Sequence, residues 1–193
     1  MVVIDSTNLL LLLRPGTRVP NGADGAPIAR PRDRIQYLVH RLSQERSKII
    51  IPTPALSEAL VTAGPEASQK IVEDLQKYAV FAIEPFDTRA ALEAAAMLRA
   101  ALANGNKRGT SKSPWQKVKV DRQIVAIARV HGATEIFSDD GDVAKLGGLA
   151  KIKVISLSDL PLPPEKAQLS LELDSTADHK TTAEDSEGLP DQL

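Results

Sequence analysis

Ile136-Phe137-Ser138-Asp139-Asp140-Gly141-Asp142-Val143 decides how this chain is read. The short apolar run Glu135 to Phe137 reads as a buried strand, and it stops abruptly at three carboxylates within four residues. A strand that ends in an acid cluster puts oxygen ligands at the carboxyl edge of a sheet, where open α/β proteins build their sites. The amino terminus repeats the design: Val2-Val3-Ile4 is an apolar run ending in Asp5, followed by Ser6, Thr7 and Asn8. Two such strand ends side by side would make a hard-cation site, because Mg²⁺ and Mn²⁺ favour oxygen donors.

The 193 residues suffice for one domain with a substantial core and a tail. Aromatic residues are scarce, so Ala, Leu, Val and Ile must fill that core. There is no cysteine, which excludes disulfides and thiolate metal sites and fits a cytoplasmic setting. The run Leu9 to Leu13 is cut off by Arg14-Pro15, too short to span a bilayer, and no basic segment precedes it as in a signal peptide. A soluble protein with no membrane partner is expected. The net charge of −1 hides a division. Residues 165–193 hold two lysines against eight acids, a net −6, while the other 164 residues hold 22 Lys/Arg against 17 Asp/Glu, a net +5. A moderately basic body can attract a polyanion such as nucleic acid, although an unevenly charged solvated surface is the plainer explanation.

From the first strand, Leu9 to Leu13 should open a helix that fails at Arg14-Pro15-Gly16. Residues 14–33 hold four prolines, three glycines and several arginines without helical periodicity, a loop that is either mobile or functional. Asp33 is placed to cap a helix with Ile35, Leu38, Val39 and Leu42 on its apolar face. Lys48 to Ile51 reads as a strand closed by Pro52; Thr53 and Pro54 suit the N-cap and first position of a helix running to Gly64, with Glu58 early in it. A further helix carries Ile71, Val72 and Leu75, and Val80 to Ile83 is a strand. Asp87 caps a long Ala-rich helix over 88–103, residues 104–114 form an exposed basic loop, and a helix from near Pro114 to Val130 turns Val120, Ile124, Ile127 and Ala128 inward with Asp121 beside that stripe. A short helix over 142–149 and a strand over 152–155 complete the pattern. Strands alternating with helices predict a parallel sheet covered on both faces. The domain is expected over 1–160, with a Pro-rich linker and a disordered acidic tail over 161–193.

Four carboxylates lie at or beside segments the fold would bury: Asp5, Glu58, Asp121 and one or more of Asp139, Asp140 and Asp142. Buried charges are usually paired or bound to metal, and converging acids repel unless a cation neutralises them. Val3-Ile4-Asp5-Ser6-Thr7-Asn8-Leu9-Leu10, Ile51-Pro52-Thr53-Pro54-Ala55-Leu56-Ser57-Glu58, Asp121-Arg122-Gln123-Ile124-Val125-Ala126-Ile127-Ala128 and Phe137-Ser138-Asp139-Asp140-Gly141-Asp142 resemble the PIN-domain nucleases in order and spacing. The resemblance covers roughly 1–160 and implies a three-layer α/β/α fold and a Mg²⁺- or Mn²⁺-dependent ribonuclease. It implies Asp5, Glu58, Asp121 and Asp140 as catalytic acids, with Asp5, Asp121, Asp140 and Asp142 on the metal. It further implies that Ser138 orients a carboxylate or water, with Asn8 in support, although the family's Asn commonly lies two residues after its first Asp, where this chain has Thr7. The reaction implied is attack by activated water on a phosphodiester, leaving a 5′-phosphate.

Asp139 is left to solvent or capping, and Trp115 either stacks on a base or packs at a helix start. Arg14, Arg18, Arg30, Arg32 and Arg34, with Lys107, Arg108, Lys112 and Lys117, are the candidates for RNA phosphate contacts. Compact toxins of the VapC type within this family imply an antitoxin protein as partner and often a homodimer; the 14–33 loop and the acidic tail are additions to that pattern. Haloacid-dehalogenase phosphatases expect a second Asp where Thr7 stands, receiver domains expect an early acid pair that is absent, and no Gly-rich strand–helix turn supports a nucleotide fold. The non-enzymatic alternative is an inactive scaffold of the same fold.

Overall fold

The computed structural model describes residues 1–164 apart from Ala23 and Thr62. The elements run β1 (Val2–Ile4), α1 (Ser6–Leu13), α2 (Pro31–Gln44), β2 (Ile49–Pro52), α3 (Thr53–Val61), α4 (Pro65–Lys77), β3 (Phe81–Glu84), α5 (Thr88–Ala103), α6 (Trp115–Val130), β4 (Glu135–Phe137), α7 (Gly141–Leu149) and β5 (Lys153–Ile155), then a 3₁₀ turn at Leu157–Asp159. All strand pairs are parallel, and the sheet order is β3-β2-β1-β4-β5. The strands are three or four residues long and almost wholly apolar in the middle of the sheet, as expected where both faces are covered.

Side-chain alternation divides the core in two. Val2, Ile4, Ile49, Ile51 and Phe137 pack against Leu9 and Leu12 of α1, Ile35, Leu38, Val39 and Leu42 of α2, and Leu75 of α4. Val3, Ile50 and Ile136 point the other way, onto Ala90 of α5, Ile124, Val125, Ile127 and Ala128 of α6, and Val143 of α7. The result is the expected three-layer α/β/α arrangement. The chain winds outward from β1 to β3, then returns across the sheet to β4, so the order reverses between β1 and β4. There the carboxyl ends of two adjacent strands feed helices on opposite faces and leave a crevice between them.

Several boundaries differ from the sequence expectation, each for a physical reason. Helix α2 starts at Pro31, which takes the first helical position, so Asp33 lies inside the first turn; the N-cap is Arg30, in the left-handed region at φ 50°. Helix α3 begins at Thr53 itself rather than after it, and Thr53 Oγ1 accepts the Phe86 N–H at 3.1 Å, tying α3 to the segment after β3. The long loop ends at Arg30 and is anchored: Asn21 and Pro27 form an antiparallel bridge, and Ile28 is buried in the core. Arg34 fastens the start of α2 to the chain after β5, donating to the Ser158 carbonyl at 3.3 Å and to the Leu160 carbonyl. Among the described residues no helix is long and apolar enough to cross a membrane. The acidic tail expected from Glu165 onward lies outside the described residues.

Candidate active site

Asp5 is the first residue after β1, and its N–H donates to the Phe137 carbonyl at 3.2 Å, directly across the switch point. It caps α1, with Oδ1 accepting the Asn8 N–H at 2.8 Å. Its relative exposure is 4%, and burial pushes its pKa up to about 7. Hydrogen bonds from Ser138 and from the Asn8 backbone pull the other way, while the Asp139 and Asp140 charges add to the rise. Ser138 is itself buried, and its Oγ also accepts the Asp140 N–H at 3.1 Å. The Asn8 side chain is fully buried, and neither Oδ1 nor Nδ2 has a hydrogen-bond partner among the described residues.

On the other side of the crevice, Asp140 caps α7 by accepting the Asp142 N–H at 2.7 Å. Asp121 projects from α6 and is 6% exposed; burial raises its pKa to about 6, against the nearby Lys117 ammonium. Asp142 is also buried, but its Oδ2 accepts the Ser113 hydroxyl at 2.5 Å and the Ser111 hydroxyl at 2.8 Å, with Lys145 Nζ 3.3 Å from Oδ1. The Ser113 hydrogen bond above all, against burial, holds this carboxyl below its ordinary range. Asp121, Asp140 and Asp142 each offer an oxygen within 4.8 Å of the others.

Lys117 Nζ lies 2.5 Å from Asp140 Oδ2, 3.0 Å from Asp121 Oδ2 and 3.9 Å from Asp142 Oδ2. Burial lowers its pKa, but the hydrogen bonds to Asp140 and Asp121 more than offset this. Three carboxylates gathered around one ammonium are a donor set suited to a hard cation, so the residues present fit a divalent metal. Asp5, Ser6, Thr7, Glu58, Lys117, Asp121, Ile124, Asp140 and Val143 line a cleft of about 280 Å³ at this place.

The structure thus brings Asp5, Glu58, Asp121 and Asp140 to one cleft, with Asp142 beside it. Glu58 is exposed at its margin, and Asp5 stands outside the three-carboxylate group. Asp139 turns away: its Oδ1 accepts the Ser156 hydroxyl at 2.6 Å and the Leu157 N–H at 3.0 Å, fixing the 3₁₀ turn. Lys117 does not stand out into solvent with the other cations of its segment. Lys107, Arg108 and Lys112 are exposed, as are Arg14, Arg18 and Arg30, with Arg32 half-buried. Because α1 runs back from the carboxyl edge for eight residues, Arg14 follows its far end, roughly 12 Å from the cleft side. Arg30 pairs with Asp33 at 2.6 Å beside the carboxyl edge. Trp115 packs at the helix start, with Lys107 Nζ 5.1 Å and the Arg122 guanidinium 5.4 Å from its ring centroid. Ser111, Ser113 and Lys145 are site residues that sequence reasoning missed. Lys145 sits three residues after Asp142 and could have been read from helical spacing; the serines carry no periodic signal.

Fold and site together define an α/β protein with three carboxylates gathered at its topological switch point. The PIN domain matches residues 27–149, more than half of the chain, and the chain belongs to that family. The matched span contains Glu58, Asp121, Asp140 and Asp142 but begins after Asp5, which joins them through the pairing of β1 with β4. No curated protein matches the chain.

Proposed function

We propose that this cleft hydrolyses RNA phosphodiester bonds with the help of Mg²⁺ or Mn²⁺. The observation that carries the reading is the convergence of Asp121, Asp140 and Asp142 on one seat, with Asp5 and Glu58 lining the same cleft, in a chain of the PIN domain family. Asp121, Asp140 and Asp142 would hold the ion, with Asp5 facing it from β1. When bound, the ion supplies Lewis acidity, activating water and neutralising charge that develops on the phosphate. Ser138 keeps Asp5 oriented, and the Asp140 cap and the two serines on Asp142 hold those carboxylates in place before substrate arrives. Glu58, exposed at the cleft margin, is positioned to accept a proton from the attacking water.

The loop carrying Lys107, Arg108 and Lys112 is tied to this site through Ser111 and Ser113, so its cations and those of Arg30 and Arg32 would grip flanking phosphates. Arg14 and Arg18 belong to the same basic face of the proposal with a smaller share, being on the loop that returns from the far end of α1. A toxin role, with an antitoxin that blocks the cleft and a homodimer as the working form, is the biological setting this reading favours, in the cytoplasm where RNA is available. One observation favours the non-catalytic scaffold instead: Lys117 already forms ion pairs with Asp121 and Asp140.

Cleavage of single-stranded and structured RNA, with Mg²⁺, Mn²⁺ or EDTA, by wild type and Asp5→Asn tests the reading. Metal-dependent cleavage that falls at least about a hundredfold in the variant supports it. Absence of cleavage with every RNA and metal, together with absence of Mn²⁺ binding, would establish the scaffold.

A further inference from the structure

We infer that Lys117 is a built-in counter-cation of the acidic centre, and that a divalent ion enters the seat only by displacing its ammonium. The inference rests on the reading of this cleft as a metal site. Lys117 lies one helical turn ahead of Asp121 on α6, so the helix itself delivers the ammonium to that carboxylate. From there Nζ also reaches Asp140 at 2.5 Å and comes within 3.9 Å of Asp142. These are the three residues whose oxygens lie close enough together to share one ion. An ammonium and a divalent cation cannot both occupy a space this small, because their repulsion adds to the loss of ligand oxygens.

The rest of the cluster is arranged to survive the exchange. Asp140 remains fixed by the Asp142 N–H, and Asp142 by Ser111, Ser113 and Lys145, so these two donors stay placed while a metal ion takes over the pairing of Asp121 from Lys117. Lys117 in turn has an exit: its side chain is 41% exposed, on a flexible four-carbon stem. The ammonium therefore holds three mutually repelling carboxylates together in the metal-free protein and lowers the affinity of the seat for metal. Once displaced, it joins the cations available to a bound phosphate.

Calorimetric titration of the chelated full-length chain with MnCl₂ compares wild type with Lys117→Met and Lys117→Arg. Lys117→Met should bind Mn²⁺ about tenfold tighter or more, while Lys117→Arg stays near wild type. The metal-free Tm of Lys117→Met should be lower than that of wild type, with the gap closing at saturating Mn²⁺, a pattern that loss of helix packing alone does not produce. Equal or weaker affinity in a folded Lys117→Met protein overturns the inference and leaves the metal site standing. No Mn²⁺ binding by any of the three proteins overturns the metal reading and this inference with it. Lys117→Gln provides the same comparison should the Met variant not fold.

Discussion

Asp5 holds its proton to about pH 7 in the folded protein because burial disfavours the charge, whereas an unfolded aspartate releases it near 3.8. The folded state therefore binds more protons between these values, and the stability this group contributes is complete below about pH 4 and lost as pH rises through 7. Asp121 acts in the same direction up to about pH 6. Metal-free protein should consequently lose stability between about pH 4 and 7, and Asp5→Asn should flatten that profile and be more stable at pH 8 by about 1–3 kcal/mol. Thermal melts in EDTA across this range check it; parallel profiles for the two proteins would contradict it. At the residue scale, the acids were legible because each follows an apolar strand or interrupts an apolar helical stripe. Ser111 and Ser113 were not, since their partner Asp142 lies about thirty residues onward and only loop closure brings them together. Asp139, left to solvent or capping by the sequence, accepts the Leu157 N–H of the 3₁₀ turn, while its neighbour Asp140 faces the cleft as the resemblance implies.

Helix α7 carries two of the three clustered carboxylates at its start, so its seating against β5 sets the site. Gly147 allows that seating: a Cβ there would overlap the Val154 side chain and press on the Ile152 carbonyl. Gly147→Ala should cost about 1–3 kcal/mol and weaken metal binding with it, measurable by denaturant unfolding and Mn²⁺ titration. The 104–114 loop is latched at three places, by the serines on Asp142, by Arg122 donating to the Lys107 carbonyl at 2.9 Å, and by Trp115 against Lys107. Ser111→Ala with Ser113→Ala should free the first latch and speed amide exchange over 107–113, with α6 beyond Val118 unchanged. Hydropathy periodicity located these elements to within a few residues, and Asp87 caps α5 as read, accepting the Ala90 N–H at 2.8 Å. The assignments that moved were helix starts. Thr53 opens α3 itself, and Asp33 lies inside the first turn of α2, where a proline takes the true first position.

For the whole molecule, strand–helix alternation was enough to give a parallel three-layer sandwich. The order β3-β2-β1-β4-β5, which no local signal encodes, is what sets Asp5 beside the β4 acids. The charge division has a consequence at the same scale: residues 165–193 carry a net −6 and the rest of the chain a net +5. Every proposed catalytic and phosphate-contacting group lies in the basic part. Deleting residues 165–193 should leave metal-dependent cleavage unaltered, and RNA binding by the remaining chain should weaken steeply with salt. Reversing Lys107, Arg108 and Lys112 to Glu should flatten that salt dependence, as fluorescence anisotropy at several ionic strengths would show. Anomalous diffraction from crystals soaked in MnCl₂ tests whether the switch point takes up a divalent ion. A manganese peak is expected about 2.1 Å from oxygens of Asp121, Asp140 and Asp142, with the Lys117 ammonium moved out of the seat. Fully soaked crystals with no peak there, and Lys117 still bridging Asp121 and Asp140, would contradict it.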